Sequence, residues 1–539
     1  MFSHHGRHDA LSNIAEELRC HILSLLSSRD IICCALTCQT VYKTVKNSTE
    51  LQYIIELGAR RLMPIHPRPP NVSIVECLRI LRGKANAWSS FELSVTKGLR
   101  IPLSFNPGSI LISHQQLAFF VTYWHGYVES KIIDLRTCMP ETASIPLCTR
   151  DGNYGNVVHR ASVCSSIYID ETQDLMITVH LWRDNPTYQI NFRAISTHKE
   201  HPKAHGSRLV LACRVPHNDY SEGFPEHRAI FTGIGDRLAF YSEAKLGLEE
   251  TYQYWSLHVW NWHEGGQPDD VYALGIGYIL VEIRFLTEEK LLALTSCYCI
   301  ELYDVGNLST IPQLQARFML PVVPQTLSLE YPSVFHSTST CEHLAAPDER
   351  WIWTTIPADR VICLRVHSPK SIFVISARLF FMDLPPTWFD AASTHGVAVP
   401  WSSWGPQNSR CFLQKSSPLF GVGGSRVIRP VLHDSSLRMH MTDFNPSAVA
   451  RGIGKVIQDP TTLLASRYGF TQDVTTHLPY VEVVNNDRDF DFSLRRIILD
   501  EEKILIFTLP HTTASELPPV ELTMKLTISL NRSGQWMSR

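Results

Sequence analysis

Several stretches of this chain bring together residue types able to handle phosphate, metal or acyl chemistry. GVGGSR at 421–426 and GIGK at 452–455 have the glycine density that lets backbone N–H groups cradle phosphate oxygens. Neither carries a Lys-Ser/Thr pair or a following amphipathic helix; GVGGSR reads as a β-turn, and neither is evidence for a nucleotide. Cys34 and Cys38, one helical turn apart with Cys33 adjoining, offer soft ligands, but in a helical segment whose faces meet a core or a partner they read more simply as thiols than as a zinc site. Cys297 and Cys299 share one face of a strand and read as buried thiols. His4, His5 and His8 sit in a polar lead with no periodicity to hold them in place. No structural metal and no cofactor is therefore expected. The nucleophile elbow Gly-x-Ser-x-Gly and the zinc motif His-Glu-x-x-His do not occur. With 24 histidines in the chain, many Ser, His and Asp combinations could be drawn, and none is singled out as catalytic.

The elements that would position any such group fall into two classes. From about residue 91 the apolar period is 2, with Gly, Pro, Asn and Asp between short runs. QLAFFVTYW, DLMITVHLW, DRLAFYSE, KLLALTS and SIFVIS read as inner strands. Each precedes a second run that ends in a polar turn: SKIIDL, NFRAIS, LHVWNW, IELYDV and LFFMDL, with MHMTDF as a sixth. Two strands and then an Asp, Asn or Ser turn is the grammar of a β-propeller blade. The turn residues Asp134, Ser196, Asn261, Asp304, Asp383 and Asp443 are unevenly spaced, where regular WD repeats recur about every 40 to 45 residues. The expected fold is therefore mainly β, a degenerate propeller-like domain, with an irregular β-sandwich or barrel as the alternative. Trp401 and Trp404 in PWSSWGPQNSR lie beside a turn and could pack or line a recognition face.

Before residue 91 the period is helical. Ile14, Leu18, Ile22, Leu25 and Leu26 are followed by Ile31, Ile32, Ala35, Leu36 and Cys38, then by Val41, Tyr42 and Val45, at spacings of three and four. Ser28 and Asp30 are placed to cap a second helix, and a third resumes near Thr49 and stops by Gly58. So small a helical unit buries too little to stand alone and needs a partner surface. MPIHPRPPN reads as a stiff proline-rich linker, and VSIVECLRILRGK as a docking helix ended by Gly83.

The helical stretch resembles the F-box family. Ile14, Ala15, Glu17, Leu18, Ile22, Leu23 and Leu26 match the family's opening, and Asp30, Ile31, Ile32, Ala35, Leu36 and Cys38 its middle signature. Ala15 stands where proline is usual and Tyr42 where tryptophan is usual, which leaves the entry to the first helix less sharply defined. With the β-rich remainder, the chain looks like the large F-box proteins of mushroom-forming fungi. The resemblance implies a non-enzymatic adaptor that docks on a Skp-type adaptor of a cullin ubiquitin ligase and offers the β-domain to a protein substrate. It implies an adaptor-binding face formed by Ile14, Glu17, Leu18, Ile22, Leu25, Leu26, Asp30, Ile31, Leu36, Cys38 and Tyr42. A propeller hydrolase with a helical cap and a non-degradative scaffold are the alternative functions.

The expected layout is a disordered lead (1–12), the F-box (13–60), linker and docking helix (61–90), the β-domain (91–515) and a tail (516–539). A net charge of −3 without a basic face argues against nucleic-acid coating. No apolar run reaches the roughly 18 residues of a membrane span, and MFSHHGRHDA lacks a signal's apolar core. A cytoplasmic or nuclear location with reduced cysteines is expected.

Overall fold

The computed structural model describes residues 14–64 and 72–91, the strand-bearing stretches between 93 and 508 with interruptions, and the strand Glu521–Leu530. The expected lead at 1–12 and most of the proline-rich run lie outside the described residues, as does the tail apart from that strand.

The N-terminal unit has four helices: α1 (Glu16–Ser24), α2 (Ser28–Ala35), α3 (Gln39–Asn47) and α4 (Thr49–Arg60). The sequence pattern suggested three, because the apolar run from Ile31 to Val45 is continuous. The chain turns at Leu36–Cys38 instead, and Cys38 is extended at the head of α3. Ser27, rather than Ser28 or Asp30, caps α2. Its hydroxyl accepts from the Asp30 N–H at 3.2 Å and donates to the Asp30 carboxylate at 2.7 Å. Leu23, Ile31, Val41, Val45 and Leu51 form the unit's core. Buried Arg19 fastens it, donating to Thr44 Oγ1 at 3.2 Å and to the Ile14 carbonyl at 2.6 Å.

α4 runs two residues past Gly58 and ends in left-handed Arg61. Gly58 is present for contact, not termination, because a Cβ there would stand 2.3 Å from Ser28 Cβ. A three-residue strand, Leu62–Pro64, pairs with Trp353–Thr355, and α5 (Ile74–Ser90) follows. Ser73 and Glu76 open α5 with the Ser-x-x-Glu spacing, the Ser73 hydroxyl accepting from the Glu76 N–H. Gly83 does not stop this helix, which continues to Ser90 with open space around the glycine.

The remainder is a succession of antiparallel sheets. Sheets one to five follow chain order, each with four sequential antiparallel strands: 109–146, 162–212, 226–276, 280–319 and 327–413. Sheet four gains a short parallel strand, Ala398–Val399. Sheet six spans 421–484 with five strands. Sheet seven joins the two ends of the β region, because Leu93–Pro102 pairs with Glu521–Leu530, which pairs with Ile504–Thr508, and that with Leu494–Leu499.

From sheet two to sheet seven, each hydrophobic cluster lies between two consecutive sheets. Ile177, Val179 and Tyr188 of sheet two meet Phe231, Leu238 and Phe240 of sheet three. The opposite face of sheet three, with Tyr241, Trp255 and Leu257, meets Ile283, Leu291 and Tyr303 of sheet four. In sheet five Ile362, Leu364 and Val366 face sheet four, whereas Val361 and Cys363 face sheet six. Burial of both faces is why strands such as SIFVIS read as unbroken apolar runs rather than alternating ones. LFFMDL departs from the expected pattern: Ala377–Phe380 is a 3-10 turn whose Leu379 and Phe380 plug the core between sheets four and five.

α5 joins the two units. Its first half, through Cys77 and Leu81, packs with Leu57 and Trp353. Its last turn sends Trp88 and Phe91 into the cluster between sheets six and seven, beside Met439, Met441, Ile497 and Ile506. The Arg426 guanidinium lies 4.7 Å from the Trp88 ring centre. Two buried asparagines donate to helix-end carbonyls: Asn445 to Arg60 at 3.0 Å and Asn485 to Phe91 at 2.9 Å.

Gly58→Ala forces α4 away from α2. Thermal or urea unfolding of the variant is expected to show a loss of about 1–3 kcal/mol, the usual cost of overpacking; unchanged stability would contradict this close approach.

Candidate docking face of the N-terminal helices

α1 and α2 each carry two apolar stripes. On α1, Cys20 and Leu23 turn inward with Arg19, whereas Leu18, Ile22 and Leu25 are 56%, 39% and 76% exposed. On α2, Ile31, Cys34 and Ala35 turn inward, and Ile32 stays 44% exposed with Leu36 just beyond it at 80%. Tyr42 on α3 is 52% exposed. A unit of this size has one small core, so its second stripe is left in water. Covering a large aliphatic side chain completely is worth about 1.5–3 kcal/mol, which makes this face the strongest unsatisfied apolar drive of the helical unit.

The expected adaptor-face residues divide accordingly. Leu18, Ile22, Leu25, Leu36 and Tyr42 are outward, and Glu17 and Asp30 are exposed beside them. Leu26 and Cys38 are half-buried against the helical core. Ile14 is half-buried, its carbonyl taken by Arg19. Ile31 is corrected: it is fully enclosed among Leu23, Val41 and Leu51 and holds α2 in place instead of facing a partner. Ile32, absent from the expected face, takes the outward position. The i, i+4 pairing of Ile32 with Leu36, against Ile31 with Ala35, is the signal that separates the two stripes.

The other chemical candidates resolve as structure. GVGGSR is a hairpin turn with Gly424 at φ +56°, and the Ser425 hydroxyl donates to Asp443 at 2.8 Å. An aspartate carboxylate at that turn is the opposite of what a phosphate needs. In GIGK, Gly452 ends the six-residue helix Pro446–Arg451 in the left-handed conformation. Trp401 and Trp404 lie on the helix Trp401–Asn408, buried 4.8 Å apart between Phe318 and Phe373, so they pack and do not recognise. Among the described residues no group of three or more His, Cys, Asp or Glu converges as a metal site, and no helix is long and apolar enough to cross a membrane.

One ionic cluster lies in sheet six, where Arg429 also packs on Phe412 of sheet five. His440 Nδ1 is 3.0 Å from Glu482 Oε1, Arg429 donates to the same oxygen at 3.2 Å, and His433 Nε2 is 2.9 Å from His440 Nε2. The hydrogen bond from His440, helped by the charges of His440 and Arg429, holds the Glu482 carboxyl below the usual range against the opposing effect of burial.

Comparison with known proteins gives remote likenesses only. No protein-family model matches the chain, and no curated protein matches it by sequence. Among solved structures, a β-propeller domain from Myceliophteria thermophila is 8% identical over 78% of this chain and 96% of that domain, with a TM-score of 0.33. The WD40 domain of SCAP from fission yeast is 8% identical over 82% and 98%, with a TM-score of 0.32. A post-proline cleaving enzyme from Rickettsia typhi is 10% identical over 79% of this chain, which spans 52% of the enzyme, with a TM-score of 0.36. These likenesses are too remote to say what the chain binds.

Because the Glu482 pKa is lower folded than unfolded, its stabilisation is complete above the unfolded value of about 4.3 and disappears as pH falls through the lowered folded value. Unfolding measured against pH is expected to show this acid limb in the wild type. Glu482→Gln should be less stable at neutral pH, with the difference shrinking as pH drops below about 4. A difference independent of pH would contradict the assignment.

Proposed function

We propose that this chain is the substrate-recognition adaptor of a Skp-cullin-F-box type ubiquitin ligase. The observation that carries the reading is the second apolar stripe on α1 and α2, left outside a complete helical core at the positions where the family resemblance puts an adaptor. Leu18, Ile22, Leu25, Ile32 and Leu36 form a helix-borne surface of the kind that docks against another helical protein. Glu17 and Asp30 give it an acidic rim.

In this reading the β-domain is a seven-bladed propeller and holds the substrate. The face-to-face stacking from sheet two to sheet seven supports that architecture, as does a last sheet built from both ends of the region. Such a sheet ties the two ends of the region together by pairing strands distant in sequence, as a propeller's last blade does. Ubiquitin transfer then belongs to other subunits, and this chain contributes position. α5 and the asparagine contacts hold the docking face at a fixed place relative to the sheets, which suits a protein that must present a bound substrate to a separate enzyme.

The test is co-purification of the full chain with a Skp-type adaptor, comparing wild type with the double variant Leu25→Asp, Leu36→Asp. Both side chains are outside the core, so the variant should unfold at the wild-type temperature while adaptor recovery falls at least about tenfold, the equivalent of 1.4 kcal/mol. Equal recovery by a folded variant would contradict the proposal.

A further inference from the structure

Cys297 lies within the turn between the strands Lys290–Thr295 and Cys299–Asp304 of sheet four, not on a strand as expected, and Cys299 opens the second strand. Two residues apart on a straight strand, their side chains would stand about 6.6 Å apart along the chain. Tyr298 between them is left-handed at φ +60°, its N–H donating back to the Thr295 carbonyl at 3.2 Å. This non-glycine in a costly conformation is held from both sides: its carbonyl accepts from Leu320 N–H at 2.9 Å, and its ring packs on the core between sheets four and five. The resulting bend brings the two sulfurs to 3.5 Å.

The surroundings distinguish the two thiols. Cys297 is half-buried and reachable, and Cys299 is fully enclosed. Thr295 Oγ1 lies 3.0 Å from each sulfur. The hydrogen bond between the two sulfurs, together with Thr295, pulls the Cys297 pKa down despite partial burial. The same contact and deeper burial push Cys299 up. The nearby Glu301 carboxylate is already engaged by Arg317 at 2.7 Å and Tyr303 at 2.7 Å.

We propose that Cys297 and Cys299 are a peroxide-sensitive dithiol that closes reversibly to an intramolecular disulfide. The Cys297 thiolate attacks one oxygen of a peroxide. The O–O bond breaks, the second oxygen leaves as alkoxide or hydroxide and takes up a proton, and Cys297 becomes a sulfenic acid. The Cys299 sulfur then attacks the Cys297 sulfur, its proton goes to the departing oxygen, and water is released. Two electrons pass from the sulfurs to the peroxide. A small thiol attacking the accessible Cys297 sulfur reverses the bond by exchange. Forming the bond needs the sulfurs to close from 3.5 Å to about 2.05 Å, a movement within one turn. No other part of the chain need be displaced, and the disulfide would pin Tyr298 and the rim of sheet four.

The experiment is hydrogen peroxide titration of the full chain, followed by differential alkylation and peptide mass spectrometry. The peptide carrying both residues is expected to lose two hydrogens, reversibly with dithiothreitol, at a rate at least about tenfold above any oxidation of exposed Cys33. Cys299→Ser should instead accumulate a dimedone-reactive sulfenic acid on Cys297, and Cys297→Ser should leave Cys299 unreacted. Oxidation of Cys33 ahead of the pair, or an unmodified 297–299 peptide in the wild type when Cys33 is fully oxidised, would overturn the proposal. The wild-type peptide decides the matter even where a variant fails to fold.

Discussion

The wedge of Trp88 and Phe91 between sheets six and seven is the contact on which the arrangement of the molecule depends. The helical unit has a core of five fully buried apolar residues, too few to make it an independent domain of ordinary stability. Its attachment therefore has to come through the end of α4, which meets Trp353 and Asn445, and through α5, whose last turn reaches sheets six and seven. Arg426 over Trp88 and the asparagine bonds to Arg60 and Phe91 add direction to that apolar contact, since carbonyls at helix ends need donors when they are buried. The wedge also draws on the sheet that both ends of the β region share. Ile497, Leu499, Ile504 and Ile506, against which Trp88 packs, belong to the sheet that unites strands from residues 93 and 530.

Much of the β region was legible from local pattern, and its failures were nonlocal. The paired runs around Phe119, Ile177, Leu238 and Leu292 are hairpins as read, because each strand and its neighbour are adjacent in sequence. LFFMDL misled because Leu379 and Phe380 are apolar for the sake of plugging a core between sheets, which a 3-10 turn does as well as a strand. The pairing of Leu93–Pro102 with Glu521–Leu530 leaves no trace in either segment alone. Trp401 and Trp404 lay beside a turn in sequence, yet their short helix is folded inward against Phe318 and Phe373, so proximity to a turn did not mean exposure.

In the helices the apolar residues were identifiable and their direction was not. Ile31 and Ile32 are chemically alike and adjacent, and the register of α2 decides which is buried. Ser27 sets that register by capping one residue earlier than Ser28 would. Leu36, expected on the adaptor face, is 80% exposed because α2 ends before it. Gly58 and Gly83 both looked like stops; the first is a contact with Ser28 and the second an unremarked interior position. The dithiol was likewise visible as two cysteines on one face, but the left-handed Tyr298 that brings the sulfurs together is a tertiary feature.

An exposed apolar stripe sits at a fixed place on a large β-domain, and its occupancy can be read peptide by peptide. Hydrogen–deuterium exchange of the full chain, with and without a purified Skp-type adaptor, measures it most directly. Added protection is expected across residues 16–47 with sheets two to five unchanged. Protection confined to the β-domain, or none anywhere at saturating adaptor, would contradict it.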